Sequence, residues 1–265
     1  MGVTVIAEVG CNHEGSVDTA LSLIHTAKLA GADAVKFQAF DSQALWGDDR
    51  IKHLELSQAE FRVLADYCAA QKIEFMCTPF GVPEVEFLAP MVKRMKVASG
   101  CLAKKDLLHA VRDTGLPVIL STGMSTLNEV RLAMDWLGYQ SPHKYKQAYT
   151  LLHCLSTYPA PPAEINLRAM DVLRHEFGQR CAIGYSDHSD GIAIPLAAVA
   201  LGAQVIEKHL TYDTKADGPD HAASITGATF AQMVYSIHEV EAAIGDWRKT
   251  VQPSEAALRR KWGRE

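Results

Sequence analysis

Short β-branched apolar runs alternate along the whole chain with stretches whose apolar residues recur every three or four positions. Eight of the short runs read as strands: 4–9, 34–38, 74–77, 94–98, 117–121, 150–154, 181–184 and 204–209. The stretches between them carry helix signals. Ser16 is placed to cap a helix that turns Leu23, Ile24 and Ala27 inward and stops at Gly31. Ser57-Gln-Ala-Glu60 forms a capping box ahead of Phe61, Leu64, Ala65 and Cys68. Ser125 is expected to start a further helix that buries Val130, Met134 and Leu137 and ends at Gly138, and the last long helix carries Phe230, Met233, Val234, Ile237, Val240 and Ile244. Strand and helix alternating eight times predicts an α/β chain folded as a (β/α)8 TIM barrel. The barrel is expected over 1–245, with a surface loop at 138–147 and a charged tail over 246–265. No G-x-G-x-x-G follows the first strand, so a dinucleotide site is a weak reading.

In such a barrel, chemistry is built from strand C-termini and the loops after them. Here those ends are polar. The first ends in Glu8 and Gly10-Cys-Asn-His-Glu-Gly15, with Asn12 inside it, and the second in Lys36 and Gln38. Thr78 follows the third, Lys96, Ser99 and Gly100 the fourth, and Ser121-Thr-Gly-Met124 the fifth. The sixth gives His153, Ser156 and Tyr158; the seventh Ser186, Asp187 and His188; the eighth Glu207, Lys208 and His209.

Two imidazoles on separate strand tails, His188 and His209, suggest metal-assisted chemistry, with protein nitrogens leaving positions open for water or substrate. Asp187 and Glu207 would then be carboxylates that orient the rings. Each histidine also reads, alone, as a satisfied core residue. Lys36 and Lys96 sit in apolar surroundings, either snorkelling to the rim and pairing with Glu8 or Glu207, or facing an anionic substrate. Asp220, in Asp217-Gly-Pro-Asp-His221, is either a base or a turn residue. Ser121, Ser156 and Ser186 are either a phosphate-holding set or ordinary caps.

Composition narrows the classes. A formal charge of -5 gives no reason to bind nucleic acid, and no apolar run is long enough for a membrane span. The N-terminus lacks signal-peptide order, and the six cysteines form no C-x-x-C pair. A cytoplasmic protein with reduced thiols is the expectation.

These motifs together resemble the catalytic barrel of the sialic acid (N-acetylneuraminate) synthase family. The resemblance runs in order through Glu8-Val-Gly-Cys-Asn-His-Glu-Gly15, Ala34-Val-Lys-Phe-Gln38, Thr78-Pro-Phe80, Lys96-Val-Ala-Ser-Gly100 and Ile119-Leu-Ser-Thr-Gly-Met124. It continues through Leu152-His-Cys154 with Tyr158-Pro159, Gly184-Tyr-Ser-Asp-His188, Glu207-Lys-His209 and Gly218-Pro-Asp-His221. It implies condensation of phosphoenolpyruvate with an amino-sugar aldehyde to a nine-carbon 2-keto acid. It also implies a divalent ion (Mn2+ or Mg2+) on His188 and His209, and phosphoenolpyruvate held by Lys36 and Lys96 with Ser121, Ser156 and Ser186. Glu8, Tyr158, Glu207 and Asp220 would serve the sugar and proton transfer, Asn12 would contact substrate, and a homodimer is the expected assembly. Two departures stand out: Cys101 occupies a position that is usually acidic in the family, with Lys104 at an asparagine-like one, and the usual C-terminal antifreeze-like domain is expected to be missing. A Schiff-base aldolase using Lys36 or Lys96, or a non-catalytic binding barrel, are the competing expectations.

Overall fold

The computed structural model describes residues 2–141 and 147–263; the rest of the expected loop at 138–147 and the last two tail residues lie outside the described residues. Eight parallel strands form the barrel wall: β1 (Thr4–Gly10), β2 (Ala34–Ala39), β3 (Glu74–Pro79), β4 (Met95–Val97), β5 (Val118–Ser121), β6 (Tyr149–His153), β7 (Cys181–Asp187) and β8 (Val205–Thr211). Hydrogen bonds link them in the order β3-β2-β1-β8-β7-β6-β5-β4, and β3 lies beside β4, so the ring is nearly closed. The expected (β/α)8 barrel is the observed fold.

All eight expected strands are present, with ends moved by up to three residues. The largest difference is β7, expected to stop at Gly184 but continuing to Asp187, because its polar end keeps pairing with β8 through Ser186↔Glu207 and Asp187↔Lys208. A two-residue strand, β9 (Ile225–Thr226), pairs with the end of β8 and was not expected.

A helix follows each wall strand, and the local signals explain where each begins. Ser57 accepts from the Glu60 backbone N–H at 3.3 Å while Glu60 accepts from the Ser57 N–H at 2.6 Å, the reciprocal capping box. Ser16 caps the helix Val17–Leu29 by accepting from the Thr19 N–H, and Gly31 takes the left-handed conformation just past its end. The helix expected to start at Ser125 is instead capped by Thr126, which forms its own box with Glu129. The final long helix spans Gly227–Ile244. The expected charged tail contains a short exposed helix, Ala256–Lys261. No helix among the described residues is long and apolar enough to cross a membrane.

Strand alternation splits the core in two. Outward-facing residues such as Val5, Ala7, Val35, Phe37, Val118, Leu120, Ile183 and Ile206 pack under the helices. Inward-facing Ile6, Ala34, Met76, Ile119, Leu152 and Val205 form a separate apolar plug at the foot of the barrel. Gly184 faces this plug, where a Cβ would lie 2.4 Å from the Val205 carbonyl oxygen, so no larger residue fits without displacing β8. One step further along the same strands, the inward residues become Glu8, Lys36, Thr78, Ser121, Ser186 and Glu207. A dry apolar floor therefore carries a charged layer.

Candidate active site

The charged layer is the floor of a cavity of about 510 Å³ at the C-terminal mouth of the barrel. Glu8, Lys36, Lys96, Ser121, Ser156, Tyr158, Ser186, His188, Glu207, His209 and Asp220 all line it, so the structure gathers these sequence-expected residues into one space. Register explains the convergence. Glu8 pairs level with Lys36 on one side and His209 on the other, and Ser186 pairs level with Glu207.

The two lysines are held by the carboxylates, as one sequence reading expected. Lys36 Nζ lies 2.7 Å from Glu8 Oε2 and 3.6 Å from Glu207 Oε2, and donates to Thr78 Oγ1 at 3.1 Å. Lys96 Nζ donates to Ser121 Oγ at 2.7 Å and stands 3.8 Å from Glu207 Oε1. Ser186 Oγ donates to Glu207 Oε1 at 3.0 Å, and Gln38 Nε2 to Glu8 Oε1 at 2.9 Å. All four ionisable groups are buried, so their charges interact with little screening.

This crowding pushes the two carboxylates apart. Burial raises Glu8 to about 7 against the pull of Lys36, and the negative charge of Glu207 adds to the rise. Burial acts the same way on Glu207, but Lys36 and Lys96 together hold it down at about 2. Burial opposes the charge on Lys36 and is outweighed by Glu207 and Glu8, so its pKa rises; for Lys96 burial wins and the pKa falls. Near neutral pH the floor thus offers an anionic Glu207, a Glu8 ready to take or give a proton, and a cationic Lys36.

The imidazoles of His188 and His209 face each other with ring centroids 5.5 Å apart. Tyr158 lies over them, 4.1 Å from the His188 ring and 5.9 Å from that of His209. Burial, and next the neighbouring His209, lower His188 to about 4; burial, and next Lys36, lower His209 to about 3. Both rings are therefore neutral at pH 7. His188 Nδ1 sits 2.7 Å from the Leu155 carbonyl oxygen, which requires the proton on Nδ1 and leaves the Nε2 lone pair free. His209 Nδ1 is buried with no hydrogen-bond partner, and Asp220 Oδ2 is 4.0 Å away. Neutral rings with an uncommitted lone pair and an orphaned nitrogen fit a divalent cation. No group of three or more His, Cys, Asp or Glu side chains suited to a metal ion occurs among the described residues. The protein's share would be two nitrogens, with water or substrate completing the shell.

Three expectations need correction or relocation. Asp187 makes no contact with the His188 ring: neighbouring strand residues point to opposite faces, and its carboxylate is turned outward to Lys208, Tyr185 and Ser189. Glu207 is occupied by Ser186 and the lysines rather than by a ring, and a backbone carbonyl fixes His188 instead. Asn12 is fully buried beside the cavity rather than lining it; its Nδ2 donates to the Leu210 carbonyl and Ser224 Oγ, tying the loop after β1 to the end of β8.

Sequence reasoning placed Ser99, Gln38, Thr78 and Gly123 among the strand-end residues but gave them no role of their own; they complete the site. Ser99 Oγ accepts from the Gly123 N–H at 3.0 Å and lies 3.1 Å from Cys154 Sγ. A Cβ on Gly123 would meet Ser156 Oγ at 2.3 Å, Cys154 Sγ at 2.8 Å and Ser99 Oγ at 2.9 Å, so glycine keeps this hydroxyl-rich wall open. The signal was present, since all four lie in the quoted strand-end motifs. Cys101 and Lys104 line the outer cavity with Trp46 and Phe80, and burial raises the Cys101 thiol, which stays neutral.

Similarity to known proteins agrees with this geometry. The N,N'-diacetyllegionaminic acid synthase of Legionella pneumophila is 38% identical over 275 residues, covering 96% of this chain and 77% of its own. The N-acetylneuraminate-9-phosphate synthase of Mus musculus is 36% identical, covering 98% and 76%. The crystal structure of an N-acetylneuraminic acid (sialic acid) synthetase from Leptospira borgpetersenii in complex with citrate superimposes with a TM-score of 0.90 at 36% identity, covering 100% of this chain and 94% of that one. The model of the NeuB family matches residues 23–249, and the chain belongs to that family.

Proposed function

We infer that this protein is a synthase that joins phosphoenolpyruvate to the open-chain aldehyde of an amino sugar of the N-acetylmannosamine type, releasing phosphate and a nine-carbon 2-keto sugar acid. The observation that carries the reading is that two buried lysines and two neutral imidazoles line one cavity of a NeuB-family barrel. Phosphoenolpyruvate is a polyanion; Lys36 and Lys96, with hydroxyls of Ser99, Ser121, Ser156 and Ser186, supply the charge and hydrogen bonds to hold it.

In the reaction, the enol carbon bonds to the aldehyde carbon, the aldehyde oxygen takes up a proton, and water adds to the former enol C2 before its bond to the phosphate oxygen breaks. Glu8, poised near neutrality, is the group best matched to moving a proton in either direction. Tyr158 stays protonated, since burial raises its pKa, and can donate a hydrogen bond beside the imidazoles. Asp220, raised by burial and receiving the Cys11 N–H, closes the sugar side. A divalent ion, Mn2+ or Mg2+, held by His188 and His209 would supply Lewis acidity to the aldehyde oxygen. The six free, buried cysteines suit a reducing cytoplasmic setting.

Phosphate release from phosphoenolpyruvate, measured across a panel of hexosamine aldehydes before and after chelation and with Mn2+ restored, tests the reading. Release that needs an acceptor and a metal is expected; none with any acceptor overturns it. The imine alternative draws on the lowered pKa of Lys96. A borohydride-trapped pyruvate adduct with chelator-insensitive activity would favour it.

A further inference from the structure

Directly outside the two imidazoles lies an ion pair that the chemistry above does not use. Lys208 and Asp187 are both fully buried, with Lys208 Nζ 2.6 Å from Asp187 Oδ2. They pair level across β7 and β8, and each immediately precedes a candidate ligand in sequence, His188 and His209. Alternation turns 187 and 208 toward the helices and 188 and 209 into the barrel. The outward positions before them, Ile183, Tyr185 and Ile206, are the hydrophobic residues expected under a helix layer.

The ammonium does more than meet one carboxylate. Lys208 Nζ also donates to the Ser189 carbonyl, so it holds the residues on both sides of His188. The Asp187 carboxylate accepts from the Tyr185 hydroxyl at 2.9 Å, the Ser189 hydroxyl at 2.8 Å and the Ser189 N–H at 3.2 Å. The His188 carbonyl itself receives the Ala160 N–H at 2.8 Å. The backbone that carries one imidazole is thus tied, by directional bonds, to the residue adjoining the other.

A buried ion pair is a poor way to gain stability, because desolvation offsets most of its attraction and an apolar pair of similar size often serves as well. What it offers over an apolar pair is a defined register. We propose that Asp187 and Lys208 are positioning residues: their buried pair sets the separation and orientation of the His188 and His209 rings and so tunes the site for a divalent cation. The proposal rests on the metal reading of those histidines.

The test replaces the pair by apolar residues, Asp187→Leu with Lys208→Met, in the full chain. Three quantities are read: the melting temperature, Mn2+ affinity of the metal-stripped protein by electron paramagnetic resonance, and 15N spectra of the histidine rings without metal. The expected result is a melting temperature within a few degrees of the parent, a tenfold or greater loss of Mn2+ affinity, and loss of the single Nδ1–H tautomer of His188. A folded variant with parental affinity and ring spectra overturns the proposal. Should the apolar pair not fold, Asp187→Asn with Lys208→Gln decides, since it removes both charges of the pair and keeps polar side chains of similar size in their place. A three- to fivefold loss of affinity at an unchanged melting temperature supports the proposal, and parental affinity overturns it. If the parent binds no Mn2+, the metal reading falls, while the ring spectra still judge the positioning role: altered spectra support it and parental spectra overturn it.

Discussion

Lys36 and Glu8 meet carboxylate to ammonium at 2.7 Å from level positions on adjacent strands, and Glu207 stands 3.6 Å from the same ammonium on the other side. One lysine therefore compensates two buried carboxylates.

Replacing it exposes that dependence. In Lys36→Met both carboxylates lose their nearest cation while still buried, an arrangement that costs on the order of 3–5 kcal/mol. The loss of a charged contact to the anionic substrate lowers turnover by roughly 10²–10³. Thermal melts and phosphate release in one preparation check both; parental turnover would contradict the assignment of Lys36 to the anion.

Gly123→Ala tests the hydroxyl-rich wall. The added methyl meets Ser156, Cys154 and Ser99 below normal contact distance, so it must displace them into the cavity. The expected result is a raised KM for phosphoenolpyruvate with little change in the KM for the sugar. Equal effects on both substrates would place the wall elsewhere.

Stability at mild acid pH should depend on His13. Its ring is fully buried, Nε2 has no partner, and burial holds the imidazole at about 4, below the usual value near 6.5. Between those two values the unfolded chain binds a proton that the folded chain refuses, so stability falls as pH drops from about 6.5 to about 4. One such site contributes a slope of about 1.4 kcal/mol per pH unit across that window. His188 and His209 add in the same direction. Glu8, raised in the folded state, acts oppositely from about 4.5 to about 7, so the comparison must be made against a variant. Urea midpoints at pH 6.5 and 5 in the parent and in His13→Gln isolate the contribution, and an identical pH dependence in both would refute it.

Cys101 offers a test of the proposed acceptor side. It is buried, lines the outer cavity and carries a neutral thiol. Cys101→Glu introduces a carboxylate near the incoming sugar, and the ranking of acceptors by kcat/KM is expected to change. An unaltered ranking would mean that acceptor choice is set by other residues.

The chain by itself determined the eight strands, their order and the polar character of their ends. Buried parallel strands must be apolar runs, and a mouth built for chemistry must break that rule at its rim. His188 and His209 were legible for this reason as polar residues toward the ends of apolar runs, and Lys36 and Lys96 as lysines set inside such runs. Tertiary structure alone decided what those residues touch. Asp187 adjoins His188 in sequence yet faces the helices, because successive strand residues point to opposite faces and a single position exchanges cavity for core. Asn12 was drawn into joining two loops, β7 ran on past its apolar part because Asp187 found Lys208, and the opposed proton affinities of Glu8 and Glu207 arose from burial beside unequal numbers of lysines. Register and burial are properties of how strands lie side by side, and a linear pattern of hydrophobic and polar residues carries them only in part.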